Sequence, residues 1–312
     1  MEQNDRTSIR NLILATLLGV ILSRFSIGSL VMTVPVLLVC PKIKRTDIKV
    51  LAYAAMLLGV IIWTVIQQKI LIGTEYWPTI PVSLYLPVST IIGCAVWTVG
   101  SSYSRSSMRK FFWAGIPVFV MGMAVALYFA SEESLPVRNV LADGILLMFP
   151  ADTLSINLSS VIRTVVDMMA LFFAPMGVLM LALPIVIADV NVNRFDEDWQ
   201  YDFANMKLPD HYVWVFFASW AAALVCNLVK AIPLMVMAVC WNLALTMTVL
   251  YMVVGVSILV AFARRRTAAI TAGRIVFTVV LLCFLPIVNA VVLVGLPLLG
   301  VLETWIAFRS DN

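Results

Sequence analysis

The sequence predicts an all-α, polytopic transmembrane bundle of about eight to ten helices, and three observations carry that expectation. Hydrophobic residues make up 62% of the chain and charged residues 12%, outside the range of ordinary soluble domains. Apolar runs of about 17 to 30 residues recur along the 312 residues, and a helix needs roughly 20 to cross the hydrocarbon core. No run alternates polar and apolar residues as a membrane β-strand would, and a helix alone satisfies its own backbone hydrogen bonds in lipid. The net charge of +4 is scattered over short links between runs, so it speaks to orientation rather than to nucleic acid.

The opening MEQNDRTSIR reads as the cytoplasmic lead of an uncleaved first helix, because no small-residue cleavage pattern follows it. The first run, 11–40, is interrupted at Ser23, Arg24, Phe25 and Ser26 and again at Gly28 and Ser29. One continuous helix would hold Arg24 near mid-membrane at high cost, so two short helices with Arg24 in the turn are expected. PKIKRTDIK at 41–49 is a strong cytoplasmic marker, and Asp47 is placed to cap the helix at 48–67. The link 67–81 carries Tyr76 and Trp77, which suit an aromatic belt on the far side.

The run 84–99 returns to Arg105, Arg109 and Lys110, and 111–130 goes out again. Residues 131–163 form an external segment with Glu132, Glu133, Asp143 and Asp152, whose apolar stretch 145–149 is too short to cross and suggests an interfacial or re-entrant helix. The next crossing is expected over 164–188, with Pro175 and Pro184 as kinks.

The longest polar break follows at 191–211, and it splits the chain into an N-terminal membrane block, 1–190, and a C-terminal block, 212–312. Asp196, Glu197, Asp198 and Asp202 surround Phe195, Trp199 and Phe203, which fall at i, i+4 and i+8, so a cytoplasmic, acidic, amphipathic linker helix is expected. Acids are a poor match for an anionic inner leaflet. Asp196, Glu197, Asp198, Trp199 and Asp202 are therefore read as a docking face, either for the basic loops around Arg105 and Arg264 or for a basic membrane or cytoplasmic partner.

The second block runs through 212–229, a short turn at 230–233, and 234–263, which is long enough to tilt or project. Arg264, Arg265, Arg266 and Arg274 mark the cytoplasm again. Residues 275–290 leave, Gly295 and Pro297 punctuate the run, and 298–308 is expected to return with Arg309 inside. With the N-terminus cytoplasmic, hairpins at both ends of the chain give about ten crossings, and re-entrant or single elements there give about eight.

Chemistry is sparse. The single histidine, His211, begins a helix, and no H-E-x-x-H, phosphate loop or nucleophile with a base partner is present. This speaks against an enzyme and predicts neither metal nor cofactor. The five cysteines lie in or beside apolar runs and read as buried hydrophobes, and the methionines as core filler. Ala218, Ser219, Ala222 and Ala223 offer a small face for helix packing.

Polar residues within the runs are the better candidates for ligand contacts: Asn227, Asn242, Thr246, Thr248 and Asn289, and the carboxylate Glu303. Asn242, Asn289 and Glu303 are the substrate-site candidates, each weighed against a purely structural reading, interhelical amide bonds for the asparagines and a pair with Arg309 or Arg274 for Glu303.

From the polar break onward, Lys207-Leu208-Pro209 followed by Trp214, then Asn242, Gly255, Pro286, Gly300, Glu303, Trp305 and Arg309, resemble the YybS-like family of bacterial membrane proteins, whose function is not established. The first block, with its short links and initial helical pair, is similar at fold level to the substrate-binding membrane subunits of energy-coupling-factor transporters, which usually stand alone at about six helices. These resemblances imply the bacterial inner membrane. They leave two functions open: a small-molecule transporter or its binding subunit, or a non-catalytic scaffold that docks through the acidic helix.

Overall fold

The computed structural model describes residues 2–72, 80–100, 107–147, 156–193, 196–229, 232–266, 271–283, 285–286, 288–306 and 308–309. Every regular element among them is helical, as the composition requires. Five helices are long and apolar enough to cross a membrane: α4 (Thr46–Ile72), α5 (Ile80–Gly100), α6 (Ser107–Ala130), α9 (Phe173–Val192) and α12 (Leu234–Arg266).

The N-terminal pair has the expected broken form. α1 (Glu2–Leu22) ends in a turn, and α2 (Ser26–Val31) and α3 (Val34–Val39) descend again in two pieces. Arg24 sits in that turn with its guanidinium 3.7 Å from the centre of the Trp63 ring, so the charge rests on an aromatic face at the mouth of the hairpin. α4 starts at Thr46, so Asp47 lies inside its first turn rather than ahead of it as the expected cap, and its carboxylate pairs with Arg45.

α9 and α12 are the most enclosed of the five long helices, and α6 packs on both α5 and α9. Tyr85 is buried there and donates to the Phe173 carbonyl at 2.8 Å. Its ring occupies space cleared by Gly122 and Gly177, where a Cβ would stand 2.4 and 2.0 Å from the phenol oxygen. The sequence shows a tyrosine and two glycines far apart; the fold makes them one packing unit.

Three expectations are corrected. The segment expected to be external leads into two helices, α7 (Leu135–Leu146) and α8 (Ile156–Met168), packed on each other, with Arg138 of α7 bound to Asp167 of α8 at 2.8 Å. The stretch 145–149 thus contributes the end of α7, and residues 148–155, with Asp152, lie outside the described residues. The crossing expected over 164–188 starts later, because the chain breaks in a 3₁₀ turn at Met169–Leu171 before α9. Pro175 falls in the first turn of α9, where an N–H has no intrahelical partner and proline costs nothing; Pro184 alone lies inside the helix.

The linker 191–211 is the third correction. α9 continues to Val192, and the linker's own helix, α10 (Glu197–Ala204), is only eight residues long. Phe195 lies outside the described residues, while Trp199 and Phe203 stack at 5.4 Å. α10 packs against α6, α12 and α13, so the linker is seated on the bundle rather than projecting from it.

Beyond it, α11 (Tyr212–Leu228) and α12 form a hairpin, and the chain ends in α13 (Ala272–Cys283) and α14 (Val288–Leu302). At 12 and 15 residues these rise about 18 and 22 Å, less than a full span, and they turn back at Pro286 to make a short hairpin along α12. α14 approaches α12 very closely: a Cβ on Gly255 would meet the Leu296 carbonyl oxygen at 2.1 Å, and one on Gly300 the Tyr251 carbonyl oxygen at 2.2 Å. Only glycine allows backbones this near. Side chains such as Leu51, Trp113, Trp214, Phe277 and Val291 remain exposed in a broad apolar surface, as a bilayer-facing protein requires.

Candidate functional site

Lys42, Lys44 and Arg45 just before α4, Arg109 and Lys110 in the first turn of α6, Arg264 in the last turn of α12 and Arg274 at the start of α13 form one basic end of the bundle. Here the tail folds back under α10. Glu303 and Arg309 are buried, with Arg309 Nε donating to Glu303 Oε1 at 3.0 Å. The same guanidinium donates to the Ala204 carbonyl at 2.6 Å and to Ser257 Oγ at 3.2 Å. Ala204 is the last residue of α10, so Arg309 caps that helix with a positive charge at its negative end.

The Phe308 N–H donates to Glu303 Oε2, Lys207 reaches Glu303 Oε1 at 3.5 Å, and Arg265 holds the Phe308 and Arg309 carbonyls at 3.2 and 2.9 Å. Burial pulls the Arg309 guanidinium below its ordinary value while the Glu303 carboxylate pushes it back, and an arginine stays charged throughout. Of the two partners expected for Glu303, the fold selects Arg309. This cluster is a lock between tail, α10 and α12.

The acidic docking face divides by role. Asp196 is the N-cap of α10, accepting from the Asp198 and Trp199 N–H groups at 3.0 and 3.2 Å. Trp199 is half-buried, and its indole donates to Asp189 of α9 at 2.8 Å. Glu197, Asp198 and Asp202 are exposed and form no salt bridge among the described residues. The expected pairing with Arg264 is therefore not made, and Arg105 lies outside the described residues. Phe203 and Gln200 are the side of α10 that turns to the bundle.

Asn242, about two turns into α12, is fully enclosed and makes three hydrogen bonds. Its Oδ1 accepts from the Ala174 N–H at 2.8 Å, and its Nδ2 donates to the Ala170 and Ala238 carbonyls, both at 2.7 Å. Ala170 and Ala174 flank the break between α8 and α9, so the amide supplies what the interrupted helices have lost.

Asn289 starts α14 and is half-buried, about 21 Å along that helix from Glu303. Ser257, which meets Arg309, is 15 residues beyond Asn242 on α12, about 22 Å. The three substrate-site candidates accordingly stand in three places and do not line a common cavity.

A cleft does open one turn along α12 from Asn242. It has a volume of about 200 Å³ and lies between α6, α11 and α12, walled by Phe112, Ile116, Tyr212, Val215 and Leu250. Thr246 lies in its wall, but the surface the cleft exposes is wholly apolar, and the Thr246 hydroxyl, which has no hydrogen-bond partner among the described residues, is buried behind it. Its neighbour Thr248 accepts from the Trp220 indole at 3.0 Å. The sequence marks Thr246 as a polar residue in an apolar helix, but which threonine is left unpaired depends on what the neighbouring helices bring.

No group of three metal-capable side chains occurs among the described residues. The five cysteines are free thiols; Cys226 and Cys240 approach to 3.6 Å across the α11–α12 hairpin.

Residues 148–297 match a family described as "Predicted membrane protein (DUF2232)". The matched part contains α8 to α13 and most of α14, including Asn242 and Thr246, and stops short of Glu303 and Arg309. No curated protein and no solved structure matches the chain.

Proposed function

We propose that this multi-pass membrane protein is a small-molecule transporter or membrane substrate-binding subunit of the bacterial inner membrane, with the α6–α11–α12 cleft as its binding site. The observation that carries this reading is the cleft itself, whose exposed surface is wholly apolar, with Thr246 in its wall. A cleft of this kind takes a small, apolar-bodied molecule.

The broken helices support the same reading, since interrupted and half-length membrane segments are a recurrent way to build binding sites in transporters. The fold-level resemblance of the first block to energy-coupling-factor binding subunits is in keeping with it. In this scheme Asn242 acts as a positioning residue, holding the start of α9, whose Val178 forms part of the cleft wall. Asn289 and Glu303 have no place in the cleft. The positive-inside rule puts the basic end, the N-terminus and α10 in the cytoplasm.

Mass spectrometry of small molecules that stay with the protein in mild detergent tests the assignment. Wild type should retain a compound that Thr246→Leu, which fills the cleft, releases while Thr246→Ser keeps it. Equal retention by the leucine variant, or no retained compound in wild type, overturns it.

A second reading rests on the unpaired carboxylates Glu197, Asp198 and Asp202, which suit a scaffold docking a basic partner. Reversing them to lysine should abolish co-purification of such a partner; unchanged recovery rejects the scaffold.

A further inference from the structure

A second groove lies on the outside of the bundle at its basic end, between the last turns of α5 and the first turns of α6. It encloses about 510 Å³, with Ala95, Val96, Val99 and Trp113 as its apolar floor and Arg109 and Lys110 at its rim. A Cβ added to Gly100, also on the lining, would meet nothing within 4 Å. The floor is open rather than packed.

The rim is cationic. Arg109 and Lys110 are adjacent in sequence, and neither forms a salt bridge among the described residues. Lys110 lies 5.7 Å over the Trp97 ring, and the acid whose field it feels, Asp189, is already hydrogen-bonded to Trp199. Among the described residues no carboxylate lines the groove. Trp113 is 58% exposed beside the two cations, at the level where tryptophan favours the membrane interface.

We propose that this groove seats an anionic phospholipid, its acyl chain along Ala95, Val96, Val99 and Trp113 and its phosphate between Arg109 and Lys110. A soluble anion has no use for the apolar floor, and a zwitterionic lipid gains less from the paired cations because its own ammonium opposes them. Basic grooves between membrane helices at the cytoplasmic leaflet are suited to this chemistry. The site is independent of the Thr246 cleft, which it does not touch.

Native mass spectrometry of the detergent-purified protein, with equal amounts of phosphatidylglycerol and phosphatidylcholine, reads the preference directly. Wild type should carry phosphatidylglycerol in preference by about tenfold, and Arg109→Gln/Lys110→Gln should bring the ratio close to parity. Arg163→Gln, which removes an exposed cation on α8, should leave the ratio as it is. Melting temperature checks that the double variant is folded. The proposal is overturned if wild type shows no preference, if the double variant keeps the wild-type ratio, if the Arg163 variant loses it equally, or if millimolar inorganic phosphate displaces the lipid.

Discussion

Two buried polar stations lie along α12, and they hold broken chain in different ways. At Asn242 a neutral amide accepts from the Ala174 N–H and donates to the Ala170 carbonyl at the α8–α9 break, and it also donates to the Ala238 carbonyl of its own helix. At Ser257 the guanidinium of Arg309 does a comparable bridging task for α10, but it brings a charge that must be neutralised by Glu303. The amide station is self-sufficient with backbone partners, whereas the charged station works only while both ions are present. Their tolerance to substitution should therefore differ in kind as well as in size.

The largest effect is expected from Arg309→Ala. It leaves Glu303 buried with only the half-exposed Lys207 at 3.5 Å, and it uncaps the Ala204 carbonyl. Removing one member of a buried pair costs about 3–5 kcal/mol. Thermal unfolding in mild detergent should show a large loss for Arg309→Ala and a much smaller one for Glu303→Gln/Arg309→Met, in which no lone charge remains. If the double variant is as damaged as the single, the lock depends on the specific hydrogen bonds and the contrast with Asn242 disappears.

Asn242→Leu comes next. It abandons the Ala174 N–H and the Ala170 carbonyl in an apolar interior, at about 1–3 kcal/mol for an unsatisfied buried group. Amide hydrogen exchange should accelerate at Ala174 and its neighbours while α10 and the tail stay protected. Accelerated exchange across both stations would mean that α12 transmits the damage and that the two are not separable.

Much of this architecture was legible in the sequence, for a reason of scale. A membrane span is a property of some 20 consecutive residues, so the crossings at α4, α5, α6 and α12 and the hairpin around Arg24 follow from composition and cost of burial. The places that escaped are those where one or two residues decide. Pro175 looks like a kink until the chain is seen to break at Met169–Leu171, and then it is simply the first turn of α9. Asn242, Asn289 and Glu303 look alike as polar residues in apolar runs, and only their neighbours in space distinguish them. Glu303 beside Arg309 was an open alternative at a spacing of six residues. Arg309 reaching Ala204, 105 residues away, leaves no local trace. Thr248 accepts from the Trp220 indole and donates to the Ala244 carbonyl, whereas Thr246, two residues away, does neither.

The smallest effect is expected where charge is exposed, and it sharpens the contrast from the other side. Glu197, Asp198 and Asp202 lie on α10, the helix that Arg309 caps, yet their carboxylates face solvent and pair with nothing among the described residues. Neutralising all three, Glu197→Gln/Asp198→Asn/Asp202→Asn, should shift stability by no more than about 0.5 kcal/mol, because exposed charges remain hydrated in folded and unfolded chains alike. A small loss is expected from Glu197 and Asp198, which stand in the first turn of α10 where negative charge is favoured. Asp196→Ala, which removes the N-cap bonds to Asp198 and Trp199, should cost more, about 1 kcal/mol, and should alter the fluorescence of the Trp199 indole. A triple variant less stable than Asp196→Ala would place the three carboxylates inside the lock rather than on its surface. Stability that survives neutralisation leaves them free for an outside partner, because a face that contributes nothing to its own fold can be spent on binding.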